Sequence, residues 1–177
     1  MVRPGNAPYP VRELPPGFEV LWYHPGWERH WLEIQTQADP EAGLSPATFE
    51  RYFGGAPDEL PHRQAYLADA HGRLVATATA WFGEGERRAW GRLHWVAVAP
   101  EYQGRGLAQG LLTIVGERLR SLHPAGAFLR TAAHRLAAIA VYLRFGFQPE
   151  PGNAEEAAWW EETLQRLQTV RGGRPRR

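Results

Sequence analysis

The residues Gln103-Gly104-Arg105-Gly106-Leu107-Ala108 have the types and spacing to hold an anionic ligand with backbone groups alone. Glycine lacks a Cβ, so two of them let a loop turn tightly and approach a ligand closely. Before the loop, Leu93 to Val98 is an apolar run with aromatic and β-branched members, which suits a strand buried on both faces. Pro100 has no N–H and should end that strand's pairing. After the loop, Leu107, Leu111, Ile114, Val115, Leu119 and Leu122 recur at helical spacing. Strand, glycine loop and helix start together leave free N–H groups and the positive end of a helix dipole facing outward. That geometry binds phosphate.

Composition limits what else the chain could be. At 177 residues one domain with a substantial core is expected. The 20 basic and 19 acidic residues nearly cancel, which argues against a general nucleic-acid or membrane-surface binder. No cysteine is present, so disulfides, thiolate metal sites and Cys nucleophiles are excluded. The seven histidines lack HxxxH or HExxH spacing, so no metal site is expected. No apolar run approaches the roughly 20 residues that span a bilayer, and the N-terminus lacks the apolar core of a signal peptide. A soluble cytoplasmic protein is the expectation.

The remaining elements must position the loop. Residues 1–17 hold five prolines and two glycines and read as a flexible, extended Pro-rich arm that resists helix and sheet. The domain proper is expected over 18–169, and the basic residues of 170–177 read as a disordered tail. Phe18–His24 reads as a strand and Trp27–Gln37 as a helix. Ser45 and Pro46 can cap and open a second helix that ends at Gly54-Gly55. Gln64–Asp69 and Arg73–Phe82 flank a turn and read as a β-hairpin. Ala127–Ala133 should be a further strand, His134–Phe145 a helix stopped by Gly146, and Phe147 the start of a last short strand. Ala154–Leu167 has strong helix formers and early acidic residues, so a terminal helix is expected. The fold class is α/β, a mixed central sheet flanked by helices.

These residues resemble the GCN5-related N-acetyltransferase (GNAT) superfamily. Its pyrophosphate loop, Arg/Gln-x-x-Gly-x-Gly/Ala, matches Gln103 to Ala108 and follows a Val-Ala-Val-x-Pro strand end as in the family. A second pattern, Ala-Ile-x-x-Tyr-x-x-x-Gly-Phe, matches Ala138 to Phe147 and contains Tyr142. The resemblance covers about residues 18 to 150. One departure stands out: Arg135 occupies a position where the family often has asparagine, which puts one cofactor contact in question.

The resemblance implies a GNAT fold, acetyl-CoA as cosubstrate, and acetyl transfer to an amine by direct attack in a ternary complex. Gln103, Gly104, Arg105, Gly106, Leu107 and Ala108 would hold the pyrophosphate. Main-chain groups of Val96, Ala97 and Val98 would pair with the pantetheine amides like an added strand, and a backbone N–H there would face the thioester oxygen as it becomes an oxyanion. Tyr142 is the implied general acid for the departing thiolate, or else a packed helix aromatic. For the base, the family's usual strand glutamate is absent from Gly91-Arg92-Leu93-His94. His94 could serve, or could be a strand-edge or core histidine. Glu84 and Glu86 through water, and His134, are further options.

The implied acceptor is a small-molecule amine or a protein amino group. The family's early helices shape the acceptor site, which places specificity in Trp27–Phe53, where the sequence is rich in aromatics suited to an amine's apolar body or cationic head. Paired chains are common in the family, which leaves a homodimer open. Two rivals stand beside this reading. A dinucleotide-binding oxidoreductase would use Gly104, Gly106 and Gly110, but its fingerprint starts at the strand's end and opens a longer parallel sheet. A non-catalytic acyl-CoA-binding regulatory or interaction module would share the fold without the transfer.

Overall fold

One carboxylate shapes the central hairpin. Asp69 accepts backbone N–H bonds from His71 (2.9 Å) and Arg73 (3.0 Å), and Gly72 takes φ +77° between them. This turn joins β3 (Gln64–Ala68) to β4 (Leu74–Phe82), the hairpin expected from sequence. In the computed structural model, which describes residues 1–172, these strands sit inside a six-stranded sheet. The other strands are β1 (Val2–Pro4), β2 (Glu19–Trp22), β5 (Gly91–Val98) and β6 (Gly126–Phe128). The order is β1-β6-β5-β4-β3-β2, antiparallel throughout except for the β5–β6 pair.

Alternating alanine and threonine from Ala76 to Ala80 keeps β4 slim, and helices cover both of its faces. On one face lies α4 (Leu107–Leu122), with Leu107, Leu111, Val115 and Leu119 buried. Residues of α5 (Leu136–Arg144), including Tyr142, join that layer. On the other face, α1 (Glu28–Ala38) and α2 (Pro46–Phe53) pack Trp31, Ile34, Phe49 and Phe53 onto Tyr66 and Ala97. Each fully buried leucine or phenylalanine contributes about 1.5–3 kcal/mol, so both layers matter to stability. Pro46 stands at the first helical position as expected, and Ser45 donates its N–H to Thr48 Oγ1 at 3.1 Å. A short helix, α3 (Leu60–Arg63), leads into β3, and α6 (Ala154–Gly172) buries Trp160 and Thr163.

Three sequence expectations need correction. Residues 1–17 do not lie outside the sheet. Val2–Pro4 is its edge strand, paired with β6, because an edge needs ladder bonds on one side only. The segment then crosses α4, where Tyr9 and Leu14 sit over Gly116 and Gly110; a Cβ on either glycine would come within 2.5 Å of them. Buried Arg3 anchors the crossing by donating to the carbonyls of Phe145 (3.0 Å), Ala7 (2.9 Å) and Pro8 (2.8 Å). The expected strand Ala127–Ala133 ends at Phe128, since Leu129 donates to Met1 and leaves β5 behind. The strand expected from Phe147 is reduced to one bridge, Val2 with Gln148. The last five residues of the basic tail lie outside the described residues.

Candidate active site

The loop before α4 is built as its glycines require. Gly104 and Gly106 have φ of +76° and +83°, a region other residues enter at a cost. Gln103 ties the loop to its strand by donating from Nε2 to the Val98 carbonyl at 2.9 Å. The hairpin turn clamps it from the side: Tyr102 donates its hydroxyl to Asp69 at 2.6 Å, and Arg73 pairs with Glu101 at 2.9 Å. The N–H groups of Gly104, Arg105, Gly106, Leu107 and Ala108 form no hydrogen bond among the described residues. Five adjacent donors at a helix start are thus available to an anion. A Cβ at Gly104 or Gly106 would meet nothing within 4 Å, so the space beyond the loop is open.

β5 opens away from its parallel neighbour. The β5–β6 pairing comprises Gly91 with Ala127 and Arg92 with Phe128, and the strands then diverge. From Leu93 to Val98 the edge of β5 that faced β6 is left without a strand partner, and this half contains Val96, Ala97 and Val98. A bulge interrupts the other edge. His94 pairs with Thr79 and Ala97 with Thr77, so three steps on β5 match two on β4. Trp95 takes φ +51°, which costs a non-glycine residue about 1–2 kcal/mol. Buried Gln35 of α1 holds the bulge by donating to the Trp95 carbonyl at 2.7 Å. The periodicity of β5 gave no sign of this bulge. The nearest signal is a polar Gln35 beside Trp31 and Ile34 on the buried face of α1.

The two candidate catalytic side chains lie in different layers. His94 is 6% exposed, ringed by Tyr52, Phe53 and Trp95, and its Nε2 has no hydrogen-bond partner among the described residues. Burial, aided by the charges of Arg92 and Arg130, pushes its pKa down to about 2, so the ring is neutral at physiological pH. Tyr142 belongs to the α4 layer beside Phe147, and its hydroxyl bonds to no described residue. Burial pushes its pKa up to about 12, against a smaller opposing effect of Arg135. It therefore keeps its proton. No hydrogen bond joins the two residues, so they do not form a proton relay.

The other candidates are placed less favourably. Glu84 is engaged by Arg130 at 2.7 Å and Arg92 at 3.4 Å, while Glu86 and His134 are exposed. Arg135, in place of the asparagine, pairs with Asp39 and so joins the start of α5 to the end of α1. The early aromatics pack largely on one another: Trp31 meets Phe49, Phe53 and Trp95 edge-on at 5.0–5.7 Å. A cavity of about 320 Å³ lies between α1 and the hairpin turn, lined by Trp27, Ile34 and Arg73. It adjoins neither His94 nor Tyr142, so the open edge of β5 remains the better site. Among the described residues no cluster of His, Asp or Glu is arranged to hold a metal, and no helix is long and apolar enough to cross a membrane.

Comparison with known proteins bears on the family and the fold. The profile of the acetyltransferase (GNAT) family matches residues 22–147. A mycothiol acetyltransferase from Thermobispora bispora is 30% identical over 157 residues, covering 83% of this chain and 52% of the relative. The chain thus spans about half the length of that relative. Among solved structures, a GCN5-related N-acetyltransferase from Sphaerobacter thermophilus superposes with a TM-score of 0.69 at 22% identity, over 84% of this chain and 47% of the other. The ribosomal-protein-S18-alanine N-acetyltransferase of Escherichia coli gives 0.61 at 23%, over 76% and 79%. A Salmonella typhimurium structure with its cofactor acetyl-CoA gives 0.62 at 14%, over 76% and 82%. The structural likenesses speak for the fold. The profile match takes in the glycine loop and the Tyr142 helix together, and the chain belongs to the GNAT acetyltransferase family.

Proposed function

We propose that this protein binds acetyl-CoA and transfers its acetyl group to an amine in a ternary complex. The observation that carries the reading is the run of five unpaired N–H groups, Gly104 to Ala108, beside an unpaired strand edge. The run suits a pyrophosphate, and the open edge of β5 at Val96 to Val98, where Gln103 already occupies the Val98 carbonyl, suits the amides of a pantetheine arm. The acetyl thioester would then lie near the bulge, where a strand N–H can stabilise the oxyanion. The neutral amine attacks the carbonyl carbon, the C–S bond breaks, and the thiolate takes a proton.

Tyr142 supplies that proton in this reading. A phenol near 12 is a weak acid against a thiol of about 8.5 in water. The burial that raises the phenol also raises a thiolate leaving group, which narrows the gap. His94, with its pKa near 2, is too weak to keep the amine's proton. Its Nε2 serves as a hydrogen-bond acceptor that orients the attacking nitrogen, and the proton passes to solvent. That weakness also favours the second reading, an acyl-CoA-binding module without transfer.

For the acceptor, the mycothiol acetyltransferase relative supports a small amine, and the likeness to the ribosomal-protein enzyme keeps a protein amino group in view. The test is calorimetry with acetyl-CoA, a nicotinamide dinucleotide and Gly106→Asp, joined to thiol-release assays with amine and peptide acceptors. The Gly106→Asp substitution would put a carboxylate among the five donors, so acetyl-CoA affinity should fall by about 100-fold or more, roughly 2.7 kcal/mol. Binding without transfer to any amine would favour the module. Binding of the dinucleotide alone would sink both readings.

A further inference from the structure

The far end of β5 holds charges that the transfer scheme leaves unused. β5–β6 pairing stops at Arg92 and Phe128. Alternate strand residues share a face, so Arg92 and His94 both point toward α2, where Tyr52 meets His94 at 5.3 Å between ring centroids. Arg130, just past β6, reaches the same place: the Glu84 carboxylate accepts from Arg130 at 2.7 Å and from Arg92 at 3.4 Å. Two guanidiniums face one carboxylate, which leaves a net positive charge. The Arg92 side chain is 12% exposed, and its Nε–H is buried with no acceptor among the described residues. A buried guanidinium N–H without a partner among the described residues is uncommon.

The position of this cluster follows from the fold. A ligand anchored at the glycine loop and running back along β5 from Val98 reaches His94 after roughly 13 Å, at about 3.3 Å per residue. On the transfer reading, the second substrate approaches the thioester from beyond that point, where the two arginines stand. We infer that the acceptor carries, besides its amine, a carboxylate or phosphate group that Arg92 and Arg130 bind. This inference rests on the transfer reading above. Planar guanidinium forks suit either anion, and Glu84 already shows the pair taking a carboxylate between them. The rival account is that both arginines only pin the loop carrying Glu84.

The test compares matched amines: glycine with glycinamide, phosphoethanolamine with ethanolamine, and peptides with Glu or Gln at the second position. The three pairs separate a metabolite carboxylate, a metabolite phosphate and a peptide carboxylate as the source of the anion. Thiol release gives kcat/KM, and calorimetry on the CoA-saturated protein gives binding without turnover. The anionic member of at least one pair should be preferred by about tenfold or more, the discrimination expected when a charged fork loses its partner. Arg130→Gln and Arg92→Gln should abolish that preference while acetyl-CoA affinity stays within about threefold. Arg130 is 71% exposed, so its loss spares the fold. Anion-selective binding without turnover would keep this inference and remove the transfer reading. Equal use of both members in all pairs, or a preference that survives Arg130→Gln, overturns it.

Discussion

The two ends of β5 are built on opposite principles. At the C-terminal end, Val96 to Ala108 presents backbone: an unpaired strand edge, two left-handed glycines and five free N–H groups. At the N-terminal end, Gly91 to Trp95 presents side chains: Arg92 and His94 against the aromatic rings of α2, over a bulge held by Gln35. A backbone site tolerates change in most side chains but depends on chain geometry. A side-chain site has the reverse sensitivity.

This contrast can be broken by substitution. Tyr142 of α5, the proposed general acid, should show the largest effect. Tyr142→Phe should lower kcat by about 100-fold and leave the KM for acetyl-CoA within about threefold, as removal of a general acid does. Unchanged kcat would reduce Tyr142 to packing. His94 comes next, through pH. Its pKa is lowered in the fold, so the unfolded chain binds a proton below about 6.5 that the native state refuses. The stability it contributes is therefore complete above that pH and lost as pH falls toward 2. Between pH 7 and pH 5 the loss is about 2 kcal/mol, and His94→Gln should remove it in urea titrations of both proteins.

Gln35→Leu leaves the Trp95 carbonyl without its donor. It should lower stability by about 1–3 kcal/mol and reduce transfer more than acetyl-CoA binding. The smallest effect sharpens the contrast. Arg105 points over the Tyr102 ring at 5.1 Å, and Arg105→Ala should change acetyl-CoA affinity by less than about fivefold. A larger loss there than for Gly106→Asp would mean that side chains, not backbone, hold the ligand.

The same contrast explains what could be read from the chain. Gly104 and Gly106 have one steric reason to sit before a helix, so the loop and its helix were legible. So was the hairpin, where Asp69 and Gly72 write the turn into local sequence. Contacts made at long range left no local mark. Prolines in residues 1–17 disfavour a central strand but say nothing about an edge, so β1 was missed. Ala127–Ala133 looks uniformly strand-like, and only the departure of Leu129 toward Met1 shortens it. His94 reads as a titratable base until Tyr52, Phe53 and two arginines surround it. The Arg135 to Asp39 pair spans 96 positions and had no signature at either end.

The central claim is that the backbone from Gly104 to Ala108 grips the ligand, and amide NMR reads those groups directly. On titration of acetyl-CoA into ¹⁵N-labelled protein, the five amide resonances should move together and further downfield than those of the hairpin turn, with Val96 to Val98 following. Saturable binding that leaves all five amides unmoved would contradict the account.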